Sequence, residues 1–400
     1  MDARGAAIPR RAVACLGAAQ LVSWGVAYYL IGGFGEQIGA ELGWSRDRVY
    51  GGFALALLVM GLASSPVGRL IDRAGGRVAL VAGSCANALG CALVATCHGA
   101  ATWWLAWTVL GLGMRLTLYD AAFAALARVG GASARRAMSQ ITLLGGLSST
   151  ISWPLGHWLS GRIGWRGAIL VFAGCALATL PLHLALPAGR APSPSAGDPA
   201  ALPAPLARDG AGRRAAAVLY ALSAAATSFL NAGMSAHMIP LLAGLGLAGG
   251  TAVAVASLRG IGQSSARLAE VLFGRRLEPV GLNLLASALL PLAVGAAFAG
   301  GASIAAAMVF AFAYGAGNGL LTITRGTLPL ALFGAEGYGA RVGRLLAPSF
   351  VLSATAPLAY AAVVDRWGHG AALRLSLTLA VMALLAALAL RMRFGPYRTE

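Results

Sequence analysis

Polar side chains recur at helical spacing inside runs of this chain that are otherwise almost wholly apolar. Tyr314, Asn318, Thr322 and Arg325 follow one another at steps of four, four and three, which places them on one helix face. Thr227, Asn231 and Ser235 make a second stripe with His237 slightly off it, and Gln20, Trp24 and Tyr28 a third. Arg115, Tyr119 and Asp120 gather in another apolar run, and Arg259, Gln263, Arg267 and Glu270 lie along one more. Hydroxyl, amide, phenol and guanidinium groups so placed can hydrogen-bond or ion-pair a small solute, or one another. In apolar surroundings they are costly, so they persist where they line a wet cavity or tie helices together. For Asn231 or Gln20 alone a bond between helices explains the residue as well as a ligand does. The set taken together favours a cavity.

Arg115 lies about midway along its run, where a cation costs ~3 kcal/mol or more unless hydrated or paired. Its guanidinium can grip a carboxylate or oxyanion with two parallel hydrogen bonds, so an anionic solute is one reading. Pairing with Asp120 or another acid is the other. Asp120 stands five residues on, roughly 140° round a regular helix, so the two are expected not to share a face. A bridge from Asp120 to Arg325 is then the alternative. Asp120 is the one acid well inside such a run and is the expected proton carrier. Arg259 is a further candidate for contact with solute.

The elements that must position these groups follow from composition. Of the 400 residues, 58% are apolar and 11% charged, and the mean hydropathy is +0.75, which excludes an ordinary soluble enzyme. A bilayer crossing takes about 20 mostly apolar residues. The chain offers about twelve such runs: 13–35, 49–71, 78–97, 103–126, 138–159, 168–186, 215–241, 250–272, 280–299, 303–324, 345–364 and 373–390. No alternation of period two appears in them, so helices rather than barrel strands satisfy the backbone. The expected fold is all-α, with twelve transmembrane helices in two six-helix bundles.

The net charge of +17 comes from arginine alone on the basic side, since the chain has no lysine. Its distribution argues against nucleic acid as a partner. With the N-terminus in the cytoplasm, most arginines fall in cytoplasmic segments, which predicts a bacterial inner-membrane protein with both termini inside. The run after Arg10 and Arg11 is too long for a signal peptide and lacks a small-residue cleavage site, so its retention is expected. Residues 187–213 are rich in Pro, Ala, Gly and Ser and read as a cytoplasmic linker between bundles 1–186 and 214–400. The bundles repeat each other weakly. Gly111 and Gly113 align with Gly315 and Gly317, Pro154 with Pro357, and Gly164 with Gly368.

Between the second and third runs stands Gly68-Arg69-Leu70-Ile71-Asp72-Arg73-Ala74-Gly75-Gly76-Arg77, and a degraded copy, Ala266-Arg267-Leu268-Ala269-Glu270, follows the eighth. The first resembles the signature loop between helices 2 and 3 of the major facilitator superfamily. The resemblance implies a transporter whose helices 1, 4, 7 and 10 line a central cavity, the helices that carry the stripes described above. It also implies a cytoplasmic latch built from Gly68, Asp72, Arg73, Gly75 and Arg77, with Arg267 and Glu270 as the repeat counterpart. Gly68 is expected to permit close helix approach, and Arg73 and Arg77 to face anionic lipid. Leu42-Gly43-Trp44-Ser45-Arg46 and Gly164-Trp165-Arg166 resemble, loosely, the monocarboxylate and oxalate/formate branch. Trp107 stands where drug/proton antiporters carry an arginine, and Trp153-Pro154 departs from their Gly-Pro signature, so multidrug antiport gains no support.

The five cysteines and five histidines are scattered, with no metal-binding spacing and no phosphate-binding glycine loop, so no cofactor is expected. The expectation is a non-enzymatic secondary transporter, proton-coupled, for a small organic and anionic solute, acting as a monomer in the lipid bilayer. Substrate contacts would come from Arg115, Tyr119, Asn231, Tyr314, Asn318, Thr322, Arg325, Tyr28 and Arg259. Efflux of a toxic compound or metalloid is the alternative within transport, and a membrane sensor or lipid-handling protein the alternative outside it.

Overall fold

A computed structural model describes residues 8–130, 134–187, 205–273, 277–300, 303–334 and 338–395, and every regular element among them is helical. The chain divides into two compact units, of which the first contains residues up to 196 together with Ser235–Pro240. The first unit is built from α1 (Arg10–Ser23), a π-helical turn (Trp24–Tyr28), α2 (Leu30–Leu42), α3 (Arg46–Leu62), α4 (Ser64–Ala74) and α5 (Gly76–Ala95). It continues with α6 (Ala100–Thr117), α7 (Tyr119–Gly130), α8 (Ala134–Gly146), α9 (Ser148–Ala178) and α10 (Leu180–Leu184). The second holds α11 (Gly210–Gly244) apart from Ser235–Pro240, α12 (Gly249–Phe273), α13 (Pro279–Gly300), α14 (Ile304–Phe333) and α15 (Tyr338–Phe394).

Eight helices among the described residues are long and apolar enough to cross a membrane, or nine if α3 and the start of α4, bent by 50° at Ala63, count as one. The apolar runs expected as separate helices are partly fused. α9 and α15 each carry two of them, turned at Gly164 (φ 70°) and Gly368 (φ 76°). Both glycines adopt the same left-handed backbone, which a residue with a Cβ reaches only under strain. The sequence repeat is thus matched by a repeated turn.

Helix starts follow local chemistry. Ser45 Oγ accepts the Arg48 N–H and begins α3, and the Asp209 carboxylate accepts the Gly212 N–H and begins α11. The second cap shortens the expected linker. Residues 188–204 lie outside the described residues, but the Leu206 and Ala207 N–H groups donate to the Ala331 and Leu332 carbonyls, and Ala207 is buried. Leu16, Ile71, Leu80, Leu126 and Ile141 centre one core of the first unit, and Tyr220, Leu328, Leu332 and Leu390 a comparable core in the second.

Candidate functional site

The run expected to be one helix over 103–126 is interrupted at Leu118, whose backbone is extended (ψ −178°). The Ala121 N–H turns to the Leu118 carbonyl, which leaves the Thr117 carbonyl without its helical donor. Gln20 Nε2, fully buried, donates to that carbonyl at 2.6 Å, and Asn87 Nδ2 donates to Thr117 Oγ1 at 3.0 Å. A broken helix at membrane depth is tolerated where neighbours re-satisfy its backbone, and Gln20 does so here. Asn87 was not singled out by sequence reasoning. As an amide inside an apolar run it carried the same signal as Asn231.

The break changes the relation of Arg115 to Asp120. Arg115 Nη1 donates to Asp120 Oδ2 at 2.6 Å, and Nη2 approaches Ser64 O at 3.4 Å. The separation of 140° holds for an unbroken helix only; the extended residue between the two brings them together. Arg115 therefore joins the Leu118 break to the bend at Ala63. Asp120 is also more open than a residue deep in a helix suggests, its side chain being 57% exposed against 14% for Arg115.

Around this pair stand aromatic rings. Trp24, at the π-helical turn, donates through Nε1 to Gln20 Oε1 at 3.2 Å and lies 5.0 Å from the Tyr119 ring. Tyr28 is buried edge-on against Trp24 and Phe53. Tyr119 donates to the Thr142 carbonyl at 3.4 Å.

In the second unit Arg259 is fully buried in α12, where its Nη2 donates to Asn231 Oδ1 at 2.7 Å and its guanidinium carbon lies 5.4 Å from the centre of the Tyr314 ring. Three helices, α11, α12 and α14, thus place one cation. Two turns along α12, Arg267 is buried and donates to Gly319 O at 3.3 Å and Thr322 Oγ1 at 3.1 Å. That environment differs from the expected latch position, because Arg69, its sequence counterpart, is exposed and bonded to Ser65 Oγ. Glu270, a turn further on, is half-buried.

The stripe on α14 divides among neighbours. Tyr314 reaches the Leu230 carbonyl, Thr322 meets Arg267 and donates to Asn318 O, and Arg325 donates to Ser349 Oγ at 3.3 Å beside Phe350. Asn318 is half-buried between Tyr314 and Thr322. Asp120 pairs within its own unit and Arg325 within its own. His237 packs on the Tyr50 ring in the first unit, with 4.0 Å between ring centres.

The signature loop is placed in part. α4 carries Gly68, Asp72 and the exposed Arg73 and ends at Gly75, though the Asp72 side chain lies outside the described residues. Two expectations are corrected. No atom of the described residues lies within 4 Å of a Cβ built at Gly68, so this glycine makes no close helix approach among them. Arg77 does not face lipid: its Nε and Nη2 donate to the Leu186 carbonyl at 2.9 and 2.6 Å and cap the end of α10.

The family model for the Major Facilitator Superfamily matches residues 16–343. The chain belongs to that superfamily. No curated protein matched it. Membership makes the protein a multi-pass secondary membrane transporter with a small-molecule substrate and a lipid surrounding, not an enzyme. Among the described residues, Arg115 and Asp120 with their aromatic neighbours form one polar cluster in the first unit, and Arg259 with Asn231 and Tyr314 another in the second.

Proposed function

We propose that this protein carries a small organic anion across a bacterial inner membrane by alternating access, coupled to protons. The observation that carries the proposal is Arg259. Arg259 is fully buried about midway along α12, and if α12 crosses the membrane a guanidinium there is an expense of ~3 kcal/mol or more of the kind that marks solute pathways. Asn231 and Tyr314 fix its guanidinium in one orientation, a geometry that suits a carboxylate or oxyanion. Asp120 serves as the proton carrier. Protonation there cancels the charge that Arg115 pairs with, loosens the Leu118 break and so ties proton binding to the shape of a helix.

The remaining parts follow the same reading. Gly164 and Gly368 each divide a long helix into two crossings, and α12 is a crossing despite its polar residues, which gives twelve with both termini in the cytoplasm. Asp72 and Arg73, with Gly75 ending their helix, form the latch of the first unit; Arg77 supports it by holding α10, and Glu270 is its counterpart in the second. The protein acts as a monomer. The test is a thermal-shift panel of mono- and dicarboxylates on purified protein. Carboxylates should stabilise the wild type and bind at least tenfold more weakly to Arg259→Lys, which keeps the charge and loses the fork. Unchanged affinity in Arg259→Ala would overturn the proposal.

A further inference from the structure

We infer that the first unit presents a stacking face for a planar ring, so that the preferred solute is an aromatic acid; the acid half of this statement rests on the anion reading above. The face consists of Trp24, Tyr119 and Phe123. Tyr119 and Phe123 stack at 5.5 Å with 14° between planes, and Trp24 lies 5.0 Å from Tyr119 at 45°. These three rings are half-buried, whereas Tyr28, Tyr29, Phe53, Trp107 and Trp153 around them are buried. Exposed rings in a membrane protein ordinarily meet lipid, and Asp120 decides otherwise here. Phe123 follows Asp120 by three residues and Tyr119 by four, so the carboxylate and the rings share a side of α7. Asp120 is 57% exposed although it lies almost two turns inside the apolar span that ends at Leu126. An open carboxylate at that depth stands in water, not hydrocarbon. The rings beside it therefore border an aqueous space.

The chemistry of the face selects its ligand. Trp24 Nε1 is bonded to Gln20 and the Tyr119 hydroxyl donates to the Thr142 carbonyl, so both polar handles are turned into the protein and the rings offer their π-faces. A sugar would want those handles. A cation would want net negative charge, and Arg115 neutralises Asp120. A flat unsaturated ring needs neither. The face is also held in place beforehand: a Cβ at Gly145 would fall well inside contact distance of the Tyr119 hydroxyl, so the glycine in α8 makes room for this ring orientation. At the ionic end, Arg115 Nε is buried without a hydrogen-bond partner among the described residues.

The experiment compares benzoate with cyclohexanecarboxylate, equal in charge and close in size, by calorimetric titration of the full-length protein in nanodiscs. Offset stacking of aromatic rings corresponds to a roughly two- to tenfold preference for benzoate. That preference should vanish in Phe123→Leu and Tyr119→Leu and persist in Tyr119→Phe, whose circular dichroism controls for folding. Equal binding of the two acids would overturn the stacking face and leave the anion reading intact. Preference for benzylammonium over benzoate would overturn the anion reading and leave the stacking face. Binding of neither acid at millimolar concentration would overturn the inference.

Discussion

Asp120→Asn keeps the size of the side chain and removes its charge, and the burial of the two partners says which half of the pair matters more. Arg115 is 14% exposed and Asp120 57%. A pair with one partner largely in water contributes in the range of exposed ion pairs, roughly 0.2–1 kcal/mol. Arg115→Met leaves behind a carboxylate that water already covers, so its loss of pair energy should stay at or below about 1 kcal/mol. Asp120→Asn leaves a mostly buried guanidinium with the Ser64 carbonyl at 3.4 Å, and a buried group deprived of its partner costs about 1–3 kcal/mol. Asp120→Asn should therefore be the more damaging change by about 1 kcal/mol, roughly fivefold in a folding equilibrium. Heat unfolding of the purified protein in one detergent at one pH, for both single variants and the double, measures this. The double variant should regain part of the stability lost in Asp120→Asn, because the uncompensated cation is gone. Equal losses in the two singles, or a strictly additive double, would refute the claim that this pair bridges the Leu118 break. In proteoliposomes Asp120→Asn should also abolish accumulation driven by a pH gradient while leaving solute exchange measurable. Full gradient-driven transport would remove Asp120 as proton carrier.

Gly315, Gly262 and Gly319 bring α12 and α14 backbone to backbone, so Gly315→Leu should cost about 3 kcal/mol or more and leave little protein in the native size-exclusion peak. Gly68→Ala, with no atom of the described residues within 4 Å, should change stability by no more than about 0.5 kcal/mol, and a large loss of melting temperature would contradict the open placement of that glycine. Arg77→Ala gives up two hydrogen bonds to the Leu186 carbonyl, about 1–3 kcal/mol, and should speed amide exchange across 180–187, while Arg77→Lys restores only part of the protection. A reporter fused after Arg393 should behave as cytoplasmic, and a periplasmic signal there would overturn the proposed topology.

Sequence alone determined what depends on local pattern and on the solvent. Apolar runs of about 20 residues and clustered arginines announce helices in a bilayer, because hydrocarbon demands internally bonded backbone and the charge bias acts on short loops. The paired positions Gly164 and Gly368 were legible too, since a left-handed turn asks for glycine in both halves. Tertiary structure decided what passes through a break or between distant segments. The Arg115–Asp120 pair was invisible to a count of 100° per residue because Leu118 is extended. Arg267 and Arg69 occupy matching sequence positions yet differ in burial: Arg267 meets a carbonyl and a hydroxyl of a neighbouring helix, whereas Arg69 bonds a serine of its own helix. Arg77 looked like a lipid-facing charge until the end of α10, more than a hundred residues away, proved to need a cap. The ring face of Trp24, Tyr119 and Phe123 likewise joins two distant helices. Periodicity reports which side of one helix is polar; which neighbour that side meets depends on where helices bend, and the bends here arise where backbone and side chains satisfy one another across space.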